Sequence, residues 1–76
     1  MNRQRRTTLE DLKEKLEELQ ERLETFKEEE EDAFNDMESK SYDHIDYKIW
    51  ESDIKKLDSA VDHLGEALDF IDVVLR

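Results

Sequence analysis

The sequence predicts an all-α protein: an antiparallel two-helix coiled-coil hairpin that dimerises into a four-helix bundle. Three observations carry this expectation. The 76 residues include no proline and a single glycine, Gly65, so long helices run without breakers. Apolar residues recur at alternating steps of three and four in two blocks, the spacing of a packed helix seam. The chain has no cysteine, and a chain this short buries only about 60% of its unfolded surface, so self-association is the remaining source of stability.

The first block follows MNRQRR, residues 1–6, which read as a flexible basic arm ahead of a single domain over 7–76. Thr7 followed by Glu10 fits a capping box: the hydroxyl accepts from a free backbone N–H, and the glutamate reaches back to the cap. Helix 1 is expected over about 8–38. Its seam is Leu9, Leu12, Leu16, Leu19, Leu23 and Phe26. At Glu30 a carboxylate stands where a core side chain is due. Ala33 and Met37 resume the rhythm, with Phe34 just beside it. A core role for Phe34 would require a local shift of register, as at a stutter.

SKSYD, residues 39–43, is the expected turn, with Ser41 or Asp43 available to cap the next helix. Helix 2, over about 44–75, carries Tyr47, Trp50, Ile54, Leu57, Val61, Leu64, Leu68, Ile71 and Leu75 at unbroken steps of three and four. Ala60, Ala67 and Val74 form a second stripe beside them, and Ile45, Ile49, Phe70 and Val73 widen the apolar surface. Helix 1 thus has a seam for one neighbour, and helix 2 a face wider than one neighbour covers. The expected homodimer interface is Ala60, Val61, Ala67, Leu68, Phe70, Ile71 and Val74, the alanines allowing close approach.

Charge narrows the function. The formal net charge is −11, with 46% of residues charged. Such a chain is repelled by nucleic acid and by anionic membranes, so the expected partner is a basic protein surface. No apolar run approaches membrane-spanning length, and the amino terminus lacks the apolar stretch of a signal peptide; the expected location is the cytoplasm.

Catalysis is not expected. Carboxylates are abundant, but nothing singles out a pair as acid and base, and no serine has a base and an orienting group nearby in sequence. One glycine cannot build a phosphate-cradling loop. No metal or other cofactor is expected either. Neither His44 nor His63 follows a glutamate by three residues, the pairing of helical di-metal sites, and Asp32–Asp43 lacks the glycine and ligand spacing of a calcium loop.

The acids themselves are patterned. Glu28 to Glu38 holds seven acids and no base. On helix 2, Asp58, Asp62, Glu66 and Asp69 step by four, four and three, which sets carboxylates about 6 Å apart along one side. Such a row imitates the charge line of a nucleic-acid backbone and attracts the lysines and arginines that neutralise phosphates. Acidic helix surfaces also serve solubility alone. Five of the six aromatics, Phe26, Phe34, Tyr42, Tyr47 and Trp50, fall in one window that an antiparallel hairpin brings opposite Glu30. Two arrangements are open. Glu30 is a buried polar residue hydrogen-bonded to Tyr47, His44 or the Trp50 indole, beside an aromatic plug at the hairpin end. Otherwise the bundle splays there and presents Phe34, Tyr42 and Trp50 as anchors for a partner. The candidate partner-binding set is Glu28, Glu29, Glu30, Glu31, Asp32, Phe34, Asp36, Glu38, Tyr42, Asp43, Asp46 and Trp50.

The order of a Glu-rich run, then DAFNDMESKSY, then SAVDHLGEALDFID resembles small acidic two-helix proteins encoded by phages and prophages. The resemblance spans nearly the whole chain and carries no catalytic residue. It implies a viral setting, where small acidic proteins often inhibit host nucleases or defence complexes, some by mimicking DNA. The leading expectation is therefore an inhibitor that occupies a basic, nucleic-acid-binding surface of a host protein and does not itself bind nucleic acid. Two alternatives remain: a structural or assembly adaptor working through its apolar surface, and an antitoxin-like partner of a basic protein.

Overall fold

The computed structural model describes residues 1–36 and 44–76, with side chains described from Tyr47 onward in the second segment. It is all-helical: α1 spans Arg3–Asp36, α2 spans His44–Leu75, and the two pack side by side along their length. The described residues form no strand. The expected turn at 39–43 and the expected seam residue Met37 lie outside the described residues. The Cα atoms span 58 × 15 × 13 Å, a slender rod.

Helix α1 starts earlier than the capping-box reading placed it. Asn2 is the cap: its Oδ1 accepts the Arg5 N–H at 2.8 Å, and its carbonyl accepts the Arg6 N–H at 3.0 Å. Thr7 and Thr8 are interior residues whose hydroxyls donate back to the Arg3 and Gln4 carbonyls, each at 3.1 Å. Arg3, Arg5 and Arg6 therefore belong to the first two turns of the helix rather than to a loose arm. Asparagine one residue before an arginine- and threonine-containing stretch caps as well as threonine does, and no breaker separates it from the leucine block.

On α2 every expected seam position from Tyr47 to Leu75 is buried or half-buried. Val61 and Leu68, each 8% exposed, are the most enclosed apolar residues described. On α1 the seam differs from expectation. Leu9, Leu16 and Leu23 are half-buried, but Leu12, Leu19 and Phe26 are 49, 51 and 50% exposed. Ala33, also expected in the seam, is exposed as well, and the four places are taken by Lys13, Gln20, Lys27 and Phe34, all half-buried. The realised seam is Leu9, Lys13, Leu16, Gln20, Leu23, Lys27, Glu30 and Phe34. It too steps by three and four, and Phe34 enters it with no local shift of register.

The rotation has a visible cause in α2. Lys13 is ion-paired with Asp72, and Lys27 reaches Asp58 at 2.9 Å, so long side chains bury their stems against the seam and anchor their charges across it. Between these pairs Gln20 donates to the Val61 carbonyl at 3.2 Å, above Gly65. A Cβ at Gly65 would stand 3.1 Å from Gln20 Nε2, so the glycine leaves room for this crossing. Asp58, Gly65 and Asp72 are seven apart and share one line of α2, as Lys13, Gln20 and Lys27 share one line of α1. The result is a polar ladder along one side of the hairpin.

That ladder has a defined alkaline limit. The Lys13 pKa is raised above 10.5 by its hydrogen bond to Asp72, an effect opposed by desolvation and aided by the charges of Asp72 and Glu17. Lys27 is raised in the same way by its hydrogen bond to Asp58, with Glu31 assisting. A folded-state pKa above the unfolded value means that the contribution is complete below 10.5 and is lost as pH rises through the raised values. The expected result is a urea midpoint that these lysines leave flat from neutral pH to about 10 and that falls beyond it. A Lys13→Met, Lys27→Met variant should show a shallower alkaline fall; an equal fall would assign it to other groups.

Candidate functional site

The candidate residues fall in three places, two of them singled out by sequence. The first is an aromatic cluster at the turn end of the hairpin. Phe34 lies with its ring centroid 4.5 Å from that of Tyr47, tilted by 32°, and 5.3 Å from that of Trp50, edge to face at 87°. All three residues are half-buried. The Trp50 indole N–H donates to Glu30 Oε2 at 3.0 Å. Among the described residues, the carboxylate that breaks the leucine rhythm is the acceptor for the indole of the facing helix, beside the packed rings of Phe34, Tyr47 and Trp50.

Replacing Glu30 by alanine should therefore cost about 1–2 kcal/mol, with Glu30→Gln intermediate because its amide oxygen still accepts. A double-mutant cycle with Trp50→Phe, which keeps a ring against Phe34, is the direct measurement. Coupling near zero would mean that the bond contributes nothing.

One edge of the cluster stays open. Phe34 borders a shallow groove lined also by Glu31, Asn35, Glu51, Ile54 and Lys55. Glu31 accepts from Lys27 at 3.5 Å, and Glu51 pairs with Lys55 at 3.7 Å, so the groove has an aromatic floor and a rim of paired charges. Glu28, Glu29, Asp32 and Asp36 are exposed around it. Glu38, Tyr42 and Asp43 lie outside the described residues, and so does the side chain of Asp46.

The second place is a stripe that the leucine count overlooked. Glu10, Glu14, Glu17, Glu21, Glu24, Glu28 and Glu31 step by 4, 3, 4, 3, 4 and 3. They form a seam of glutamates along α1, about 32 Å long with a charge every 5 Å or so. All are exposed except Glu31, which is half-buried. Among the described residues, only Glu17 and Glu31 of this stripe have ion pairs, each with the lysine four residues before it. The signal was the same three–four spacing, applied to carboxylates. Helical geometry puts this stripe on the side of the hairpin that carries the Lys13–Asp72 and Lys27–Asp58 ladder. Asp62 and Asp69 of α2 are exposed on the same side. Of the row expected on helix 2, Asp58 is paired with Lys27, and Glu66 lies 3.7 Å from His63 Nδ1.

The third place is apolar. Val61, Leu68 and Ile71, expected in a dimer interface, face α1 and are enclosed by the hairpin itself. Ala60, Ala67 and Val74 lie on the flank opposite Asp58, Gly65 and Asp72, with Phe70 beyond them at 73% exposure.

No three His, Cys, Asp or Glu side chains converge to hold a metal among the described residues, and none of the described helices is long and apolar enough to cross a membrane. No family model, curated protein or solved structure matches the chain.

Proposed function

We propose that this chain is a non-enzymatic acidic binding module that works as a homodimeric four-helix bundle and blocks a basic, nucleic-acid-binding surface of another protein. The observation that carries the reading is the glutamate seam Glu10–Glu31, continuous over most of α1 and largely free of pairing lysines. Solubility asks for scattered charge of either sign. A single-sign line at regular spacing produces a field that steers cations to one side. Its spacing of about 5 Å is of the order of the 3.4 Å per phosphate of one nucleic-acid strand, so lysines and arginines arranged for a backbone find acceptors along it. The open edge of Phe34, rimmed by Glu31 and Glu51, supplies an aromatic contact for an arginine at the turn end. The setting implied by the resemblance, a phage-type inhibitor of a host nuclease or defence protein, fits this chemistry.

The test is capture from a nuclease-treated lysate of the candidate host, followed by competition. The expected catch is a basic nucleic-acid-binding protein that duplex DNA or RNA displaces from the bait. A partner that nucleic acid leaves in place would contradict mimicry and favour the adaptor reading, for which the exposed apolar flank is the supporting observation.

A further inference from the structure

The exposed and half-exposed apolar residues that flank the seam lie on one side of the hairpin, Ala60 among them half-buried. On α1, Leu12, Leu19 and Phe26 are seven apart and share a line; on α2, Ala60, Ala67 and Val74 do the same. The ladder Lys13–Asp72 and Lys27–Asp58 marks the other side. Stepping from Lys13 to Leu12 and from Asp72 to Val74 crosses the seam on both helices, so the two apolar lines fall together. Antiparallel register then sets Leu12 beside Val74, Leu19 beside Ala67 and Phe26 beside Ala60, three layers about 10 Å apart.

We infer that this two-helix side, rather than a face of α2 alone, is the surface on which a second copy of the chain packs. The inference rests on the dimer reading above and specifies its interface. Area is the first support. A compact 9.2 kDa protein exposes about 4,900 Å². The hairpin exposes 6205 Å². The excess, about 1,300 Å² per chain, is surface that a rod only two helices thick exposes beyond a compact shape, and it is more than the roughly 800 Å² per partner that a standard interface needs. Charge is the second support. Two chains of net charge −11 repel one another, and the glutamate seam is turned away from the apolar side. That side is of mixed sign: Lys15, Arg22 and Lys56 on its rim have no ion pair among the described residues, while Glu29, in line with Lys15 and Arg22, and Asp53, in line with Ala60, Ala67 and Val74, are acids that a second copy can set against them. A second copy thus meets leucine, phenylalanine and small residues across a rim of both signs, while both glutamate seams stay outward for a basic partner.

Sedimentation equilibrium and circular dichroism test this on the full chain. The wild type is expected at twice 9.2 kDa near 50 µM. Leu19→Glu, which alters a half-exposed position of the hairpin, should weaken association on the order of 100-fold, while Glu24→Lys on the opposite side should leave the mass unchanged. Should Leu19→Glu also lose helicity, a different readout keeps the question open to refutation. The chain with an environment-sensitive dye on Leu19→Cys should show a blue-shifted emission that is lost on dilution; the same dye on Glu14→Cys, on the acidic side, should not respond. A monomeric wild type would overturn both the dimer and this interface. A dimer that survives Leu19→Glu, or a dye at 19 blind to dilution, would overturn the interface alone.

Discussion

Replacing Glu14, Glu21, Glu24 and Glu28 together by lysine should abolish binding to a basic partner while leaving the hairpin folded. Four reversals of two units each move the net charge from −11 to about −3. More to the point, they convert the line of single sign into one of mixed sign. None of the four makes an ion pair among the described residues, and all are exposed, so little packing is lost. The expected loss is at least 100-fold in affinity at moderate salt, from lost attraction and from lysines set against the partner's own cations. Helicity should be unchanged, since lysine is as good a helix former as glutamate. Titration calorimetry with the captured partner and a far-ultraviolet spectrum of the same sample separate the two effects. Retained affinity with retained helicity would remove the glutamate seam from the mechanism.

The second large effect concerns the fold. Leu68→Ala should lower stability by about 2–3 kcal/mol, because Leu68 is one of the two most enclosed apolar side chains and its loss leaves a void between the helices. In a small hairpin that is a large share of the total. Phe70→Ala, two residues away, should cost less than about 0.5 kcal/mol in dilute protein, since the Phe70 ring is 73% exposed. Urea unfolding of the two variants measures the contrast. A larger cost at Phe70 than at Leu68 would mean that α2 meets α1 through a different face.

This contrast shows where sequence was enough. On α2, the seam from Tyr47 to Leu75 is apolar at every step, so one register satisfies the pattern and the hairpin uses it. On α1, Leu9, Leu16 and Leu23 fit two registers equally, one completed by Leu12, Leu19 and Phe26, the other by Lys13, Gln20 and Lys27. Counting leucines selects the first. The folded chain selects the second, because Asp72, Gly65 and Asp58 await the polar side chains across the seam. Choosing correctly from sequence requires pairing the helices first, and that depends on a turn length the periodicity does not encode. The role of Glu30 was legible as a choice among three partners, and the Trp50 indole is the one it meets. The cap was misplaced because Thr7 carries the stronger motif, although Asn2 serves the longer helix. The glutamate seam is legible in the sequence by the same three–four spacing as the leucines, applied to carboxylates.

These corrections change what the molecule presents. A helix 1 whose leucines all faced helix 2 would leave α1 a purely acidic outer surface and α2 the sole apolar one. The realised register gives the hairpin two sides, one apolar across both helices and one acidic, with the aromatic plug and its groove at the turn end. An acidic side that stays free when the apolar side is covered is the arrangement a charge-led binder requires.

The measurement that tests this most directly is the salt dependence of the captured complex between roughly 0.1 and 0.5 M. Capture through the glutamate seam predicts an affinity that falls steeply and linearly in the logarithm of salt, as for the release of counterions from paired charges. An affinity indifferent to salt over that range would contradict it and place the binding energy on the apolar side.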